Sequence, residues 1–504
     1  MMTAICFVFL VGLALVLARF LYKSWWYPVS LQLLMKSQGI KGPPYKAPNW
    51  NYAKGVLDME VKSTSAPMEI SHDIIPRLFP QVYSWINLYG KNFLHWIDTQ
   101  PQLVVTDINL IKEILSDKEG SFDKVQLEGV LKKFLGGGIV FEEGKKWSKL
   151  RKVANHAFHG QNLKEKVPAM VASVEELLKT WKSYEGKEIE VFKEFKLLSL
   201  EIISKSVFGS DYLTGKTMYH MLDEIVLICY KIIADKFSKS SHELKVADHI
   251  LQAFVDSLVG IMKQREDKVK AGQSNNFGSD FLGSLMESHH NTDQNKRISV
   301  VEIIEECKTF YFAGHETVRS VLSWSILLLA VHTDWQDTAR KEVLEMLGQG
   351  NPNIESISRL KTVGMILNET LRLYPPLVFL HRKVKRNIKL GELRLPAGME
   401  VYIASLAVHH NSEIWGEDTH LFKPERFAEG VAKATRDQLM AFLSFGFGLR
   451  KCVGFNFAQM EVKIALCMIL QRYRFTVSPN YRHFPTLVMG LWPKHGIQIM
   501  LHPL

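Results

Sequence analysis

Residues 444–454 read SFGFGLRKCVG and place Cys452 between a glycine-rich turn and the start of an apolar helix. A lone buried cysteine is usually a small hydrophobic residue, and that is the plain alternative here. The glycines favour another interpretation, because a backbone without Cβ atoms can lie flat against a bulky group. At a helix start near Val453, unpaired amide N–H groups and the helix dipole would stabilise a thiolate. Such a thiolate suits an axial ligand of haem iron, with Arg450 within reach of a haem propionate.

The composition is that of a globular protein with a basic surface. Of the 504 residues, 47% are hydrophobic, and the formal net charge is +10. The five cysteines are odd in number and scattered, which indicates a reducing compartment and leaves a thiol free for chemistry. The sequence lacks zinc-finger spacing, RNA-binding aromatic motifs and a basic tail. We therefore expect a membrane surface or an acidic protein as partner, and no nucleic acid.

The N-terminus begins with an apolar run long enough to cross a membrane. Residues 4–18 read AICFVFLVGLALVLA, and the run continues past one arginine to residue 22. A membrane span needs about 20 apolar residues. The alternative is a cleaved signal peptide, but no positive charge precedes the run and no small-residue cleavage site follows it. Lysines and interfacial aromatic residues follow instead, which predicts a single-pass anchor with a cytosolic C-terminal body.

The chain beyond the anchor divides into a linker and one large domain. Prolines in QGIKGPPYKAP, residues 38–48, favour an extended connector. We assign residues 1–22 to the membrane anchor, 23–48 to a basic, proline-rich linker and 49–504 to the domain.

Hydrophobic periodicity predicts a mainly α-helical domain with a small β-region. Residues 101–118 suggest a strand followed by an amphipathic helix, and further short strands are expected at 384–403. Helical patterning dominates residues 145–265. Residues 299–333 contain no proline or turn cluster, which predicts a helix of about 50 Å that crosses the molecule. A last helix follows Cys452.

The pattern F-x-x-G-x-R-x-C-x-G at residues 445–454 resembles the haem-binding signature of the cytochrome P-450 superfamily. The resemblance covers residues 30–504 and looks nearest to the plant 72 clan. It implies the cytochrome P-450 fold, with haem b between the long central helix and the cysteine loop. It also implies that Cys452 is the axial ligand of the haem iron, and that Phe445 and Gly448 contact the haem. The large domain is thereby expected to be a haem-thiolate monooxygenase domain.

The central helix carries AGHET at residues 313–317, which resembles the oxygen-activation motif of that family. Gly314 would thin the helix wall beside a ligand. Thr317 can bond a backbone carbonyl within its own helix and open a local bulge. Glu316, an acid beside that hydroxyl, would help Thr317 deliver protons to dioxygen. An ordinary helix with an incidental glycine and threonine is the alternative.

The resemblance implies a structural role for a second group of residues. Glu369 and Arg372 are separated by three residues and share a helix face. The family pattern joins them to Arg426 in a buried network that fixes the haem loop. An exposed helix pair is the alternative.

Three further residues are expected to contact the haem propionates. Trp147 and Arg151 lie at i and i+4 in KKWSKLRK and can point at one anionic group. Arg382, in LVFLHRKV, stands where the family takes a third contact. The resemblance also places Phe310, Ala313 and residues 122–141, 378–380 and 488–491 around the substrate.

Other features carry no predicted chemistry. The stretch LGGGIV at 135–140 lacks the lysine and the strand–helix setting of a phosphate loop. The pairs His289–His290 and His409–His410 have no partners at metal-binding spacing and are interpreted as loop histidines. The chain also lacks a flavin or nicotinamide fingerprint, so electrons must come from another protein.

The predicted function is a monooxygenase that oxidises a lipophilic small molecule, a terpenoid or plant hormone, with O2. The expected partner is an NADPH–cytochrome reductase, which Lys149, Lys152 and Lys451 would dock. The expected location is the endoplasmic reticulum membrane. Two alternatives remain open: a haem-thiolate isomerase or dehydratase that needs no reductase, and a haem sensor without catalysis.

Overall fold

The protein is mainly helical, and its computed structural model describes residues 2–45, 50–97, 99–126, 129–209, 212–234, 241–488 and 490–504. The helices are α1 (Met2–Leu21), α2 (Tyr27–Ser37), α3 (Trp50–Ser63), α4 (Ile75–Leu78), α5 (Pro80–Tyr89), α6 (Ile108–Leu115), α7 (Gly129–Leu135), α8 (Gly144–Phe158), α9 (Gly160–Lys164), α10 (Val167–Trp181), α11 (Val191–Phe208), α12 (Tyr212–Ala234), α13 (Ser241–Lys270), α14 (Phe281–His289), α15 (Val300–Val331), α16 (Thr333–Leu347), α17 (Ile354–Arg359), α18 (Lys361–Leu373), α19 (Ser405–His409), α20 (Ser412–Trp415), α21 (Gly430–Ala434) and α22 (Phe455–Leu470). The predicted fold class, mainly α with a small β-region, is confirmed.

The β-region consists of small sheets. The strands are β1 (Asn92–Ile97), β2 (Gln100–Val105), β3 (Phe122–Asp123), β4 (Glu188–Glu190), β5 (Leu380–Val384), β6 (Ile388–Leu390), β7 (Leu393–Leu395), β8 (Glu400–Ile403), β9 (Tyr473–Val477), β10 (Pro485–Leu487), β11 (Leu491–Pro493) and β12 (Gln498–Pro503). The largest sheet has the order β1-β2-β8-β5-β3. In this sheet β2 and β8 run parallel, and the other neighbours run antiparallel. The sheet brings the start of the domain beside residues 380–403.

The N-terminal helices form one continuous helical run, since the π-helical turn Tyr22–Trp26 joins α1 to α2. The stretch Phe7–Ser37 is long and apolar enough to cross a membrane and fits the predicted anchor. Leu31 and Met35 of α2 are buried against residues of the domain. The assigned linker, 23–48, therefore contains a docked helix, and its boundary at 48/49 lies outside the described residues.

The central helix α15, Val300–Val331, confirms the helix predicted at 299–333. It begins after Ser299, whose side chain accepts the N–H of Glu302 while the Glu302 carboxylate accepts the N–H of Ser299. Most of its side chains are buried, and it packs against α11, α18 and α22. Because the helix runs through the core, its middle turns line the interior of the molecule.

A buried ion-pair network ties α18 to the part of the chain that precedes the cysteine loop. Arg372 donates from Nε and Nη2 to the two carboxylate oxygens of Glu369, at 2.7 and 2.8 Å. Arg426 Nε lies 3.5 Å from Glu369 Oε1. The Ser444 hydroxyl, at the start of the cysteine loop, donates to the carbonyl oxygen of Leu371 at 2.9 Å. The predicted network of Glu369, Arg372 and Arg426 is confirmed, and the Ser444–Leu371 hydrogen bond holds the start of the cysteine loop against α18.

Candidate functional site

The cysteine loop is a tight turn that requires glycine at position 448. The N–H of Cys452 donates to the carbonyl oxygen of Phe445 at 2.8 Å and closes the loop. Gly448 has a φ of +68°, and a Cβ atom there would lie 2.1 Å from the carbonyl oxygen of Leu115. This glycine therefore allows the loop to pack against the end of α6, whereas the sequence suggested contact with a bulky group.

Gly446 leaves the backbone of the loop bare. Its φ is +66°, and the nearest heavy atom to a Cβ built there is the Arg450 carbonyl oxygen at 3.9 Å. Gly446 also lines the cavity described below. A flat group can therefore lie against the loop at this position, as the sequence analysis expected for the glycines.

Cys452 precedes α22 in the chain, and it lines a cavity. That helix begins at Phe455 with Gly454 as its N-cap, two residues later than the predicted start near Val453. Cys452 is exposed to this cavity, but the protein packed around it still raises the pKa of the thiol by desolvation, while a hydrogen bond from the Gly454 N–H and the positive charges of Arg151 and Lys451 oppose this effect. The same donor and charges would favour the thiolate form needed by a metal ligand.

A cavity that is partly open to solvent lies between α15 and the cysteine loop. Its wall is mainly apolar, and Thr317 and Cys452 line it together. The apolar lining residues include Ile139, Val140, Phe158, Ile203, Phe310, Ala313, Val318, Val321, Leu367, Leu371, Leu377 and Leu380. The lining positions predicted at 310 and 313 are confirmed. Among the described residues of 488–491 none lines the cavity, and residue 489 lies outside the described part.

Arg450, Trp147 and Arg151, which were predicted to contact the haem propionates, all line this cavity. The Arg450 guanidinium lies 4.3 Å from the centre of the Trp147 ring and forms an ion pair with Glu143. Arg151 donates from Nη1 to the carbonyl oxygen of Lys451 at 2.6 Å, which ties α8 to the cysteine loop. These contacts hold the cationic side chains beside the loop.

Arg382 and Lys124 add two more positive charges to the same cavity. Burial, then the charge of Arg450, lowers the pKa of Arg382 to about 10. Burial lowers the pKa of Lys124 to about 7, with Arg382 and Arg450 acting in the same direction and Glu143 opposing them. The like charges of this cluster therefore add to the effect of burial, and Glu143 opposes both.

The residues present fit a haem. The Cys452 thiol lines the cavity, and the backbone at Gly446, which has no side chain, can accept a flat ring. The cluster of arginines and Lys124 can pair with two propionates. Lys124 lies in the stretch 122–141 that was expected around the substrate, but its place beside the cations was not predicted, because SFDKVQ carries no motif that marks a ligand.

Thr317 and Gly314 lie on the cavity side of α15. The Thr317 hydroxyl donates to the carbonyl oxygen of Ala313 at 2.9 Å, as predicted, but α15 continues as α-helix through this turn without the expected bulge. A Cβ atom at Gly314 would lie 2.6 Å from Cδ1 of Ile203. The glycine therefore permits close packing of α11 on α15, in addition to lining the cavity.

Glu316 is buried but is not among the described residues that line the cavity. Arg319 donates to its carboxylate at 2.6 Å, and His315 Nε2 lies 2.8 Å from it. Burial acts to raise the pKa of Glu316, but His315 and Arg319 outweigh burial and leave the pKa below its ordinary value. The structure thus brings Thr317 to the cavity and holds Glu316 in an ion pair beside it.

The interpretation of His409 and His410 as loop histidines is wrong. Both side chains are buried at the end of α19. His409 Nε2 accepts the N–H of Leu443 at 2.8 Å, immediately before the cysteine loop. Their burial could not be read from the sequence, because the partners lie more than 30 residues away.

The comparisons with known proteins agree with this geometry. The family model "Cytochrome P450" matches residues 79–500. The chain is 48% identical to "Cytochrome P450 CYP749A22" of Panax ginseng, over 100% of this chain and 98% of that protein. It is 40% identical to "11-oxo-beta-amyrin 30-oxidase" of Glycyrrhiza uralensis, over 95% of this chain and 94% of that protein. It is 38% identical to "Cytochrome P450 CYP72A613" of Trigonella foenum-graecum, over 100% and 98%.

Proposed function

The chain belongs to the cytochrome P450 family of haem-thiolate monooxygenases, and on that premise we propose that it oxidises a C–H bond of a terpenoid skeleton. One atom of O2 enters the product and the other leaves as water. The observation that carries the proposal is the apolar cavity shared by Thr317 and Cys452, which offers a lipophilic molecule an apolar binding site. Relatives whose names state oxidation of an amyrin support the substrate class.

In this proposal the cofactor is haem b. Cys452 would hold its iron through the thiolate, and the propionates would be bound by Arg450, Arg382, Arg151, Trp147 and Lys124. When bound, haem supplies the activation of dioxygen. Phe445 and Gly448 shape the loop that presents the thiolate.

In this proposal the Thr317 hydroxyl takes part in proton transfer at the wall of the cavity. Its hydroxyl bonds the Ala313 carbonyl, so Oγ1 is held in place and its lone pairs can accept from a donor in the cavity. Glu316 is a positioning residue, because the contacts of its carboxylate with Arg319 and His315 stabilise the helical turn that carries Thr317. The role expected for Glu316 from the sequence, direct proton transfer, would require its carboxylate to break its contacts with Arg319 and His315.

The electron source is an NADPH-dependent reductase, and the protein lies in the endoplasmic reticulum membrane with its domain in the cytosol. The Phe7–Ser37 helix supports the membrane location. Of the three predicted docking lysines, Lys149 is already engaged, since it donates to the carbonyl oxygen of Arg297 at 2.6 Å and pairs with Glu302 at 3.4 Å. Lys152 and Lys451 are exposed and remain the proposed contacts.

The proposal is tested with microsomes that contain the full chain and a plant NADPH–cytochrome reductase. Triterpenoids, smaller terpenoids and a fatty acid are supplied with NADPH, and products heavier by one oxygen atom are sought by mass spectrometry. We expect such a product from a terpenoid only when reductase and NADPH are both present, and none from the Cys452→Ala variant. Turnover that persists without the reductase, or that occurs only with the fatty acid, would contradict the proposal.

A further inference from the structure

Three potential metal ligands converge away from the haem cavity. Asp73, His410 and His420 each offer one ligand atom, and these atoms lie within 4.8 Å of one another. Asp73 lies in the loop before α4, His410 directly follows α19, and His420 lies in the loop after α20. None of the three lines the haem cavity. The group is therefore a separate feature of the fold, and the family signature does not include it.

His410 is already arranged as a ligand. It is 5% exposed, and its Nε2 atom lies 3.1 Å from the carbonyl oxygen of Leu373, to which it can only donate. Its Nδ1 atom then carries the lone pair, and this atom is buried without a hydrogen-bond partner among the described residues. A hydrogen bond from the second ring nitrogen to a backbone carbonyl is the usual support of a metal-bound histidine.

One nearby cation would oppose metal binding. Arg372 donates to the carbonyl oxygen of His409, the residue before His410. Its charge is compensated by Glu369, which accepts from Arg372 in hydrogen bonds of 2.7 and 2.8 Å.

Asp73 and His420 form the accessible side of the group. His420 Nδ1 lies 3.7 Å from Asp73 Oδ1, and each side chain is 38% exposed. His420 Nδ1 also has no hydrogen-bond partner among the described residues. Ligand atoms around tetrahedral zinc stand about 3.3 Å apart at bond lengths of about 2.0–2.1 Å. Asp73 and His420 are half-buried, so a zinc site requires their side chains to rotate until the ligand atoms reach that spacing, with water as the fourth ligand.

We propose that Asp73, His410 and His420 form a Zn²⁺ site with two imidazoles, one carboxylate and water. Imidazole with carboxylate is a ligand set suited to zinc. The ion would link the loop before α4 to the segment 410–420. That segment borders His409 and Leu421, whose carbonyl oxygens accept from Arg372 at 2.9 and 3.3 Å. Zinc would thereby brace the chain that the buried network holds, and this conclusion does not depend on the substrate.

The test uses the haem-loaded full chain without a histidine tag, stripped of metal by a chelator and dialysed. Zn²⁺ is titrated at neutral pH in competition with a chromophoric zinc chelator, and bound zinc is counted per haem. We expect one zinc per haem. The double variant Asp73→Asn/His420→Asn should bind it at least about tenfold more weakly, because loss of supporting groups alone costs about 10–100-fold.

The matched control is His249→Asn/Asp256→Asn, which makes the same two changes at exposed positions of α13. It should bind zinc as the wild type does. The 450 nm band of the reduced carbon monoxide complex reports that each variant is folded. If the Asp73/His420 double variant lost that band, zinc binding would be compared between the wild type and the single variant His420→Asn instead. Equal zinc binding by the wild type and the folded ligand variant, or no stoichiometric zinc in the wild type, overturns the proposal.

Discussion

Replacing Arg372 by alanine should destabilise the folded chain far more than replacing Arg359, although each arginine pairs with a glutamate on its own helix. Arg372 and Glu369 are fully buried, whereas the side chains of Arg359 and Glu355 are 66% and 72% exposed. Removing one partner of a buried pair leaves an uncompensated charge and costs about 3–5 kcal/mol. An exposed i,i+4 pair on a helix contributes about 0.3–0.5 kcal/mol.

The larger cost is a substantial part of a typical total stability of about 5–15 kcal/mol. Arg372 also donates to the carbonyl oxygen of His409, so its loss leaves a further buried acceptor without this partner. The free energy of unfolding is measured by urea titration with two readouts, far-UV circular dichroism and the 450 nm carbon monoxide band. Arg372→Ala should shift the midpoint strongly, and Arg359→Ala should leave it almost unchanged. Shifts that agree within about 1 kcal/mol would refute the argument that burial decides the value of the pair.

Three further predictions concern the site, the anchor and pH. Thr317→Ala should keep the haem spectrum but form less product per NADPH and more hydrogen peroxide, because proton-transfer groups contribute about 10²–10⁴-fold in rate. An unchanged yield of product per NADPH would remove Thr317 from the mechanism. Deleting residues 1–22 should release much of the protein from membranes with haem bound, because α2 still docks through Leu31 and Met35; a folded product without a haem spectrum would contradict this. Burial raises the pKa of Glu306 to about 8, so the folded chain keeps a proton that the unfolded chain loses, and stability should fall as pH rises from about 5 to 8. Glu306→Gln should remove that fall in the pH profile of unfolding, and an unaltered profile would exclude Glu306 as its source.

The sequence alone determined the features that depend on neighbours along the chain. The apolar run at the N-terminus, the uninterrupted helix at 299–333 and the spacing of Phe445, Gly448, Arg450 and Cys452 are all local patterns. Periodicity and turn chemistry act over a few residues, so such elements can be predicted before any tertiary contact is known. The family resemblance then indicated how the central helix and the cysteine loop are combined.

Contacts between side chains far apart in the chain depend on the tertiary structure. It placed Lys124 among the cations of the cavity and set Gly448 against Leu115. It also gathered Asp73 with His410 and His420, which are more than 300 residues away in the chain. Such contacts depend on how helices and loops pack, and neither the period of a helix nor the spacing of a motif specifies the partner across a core.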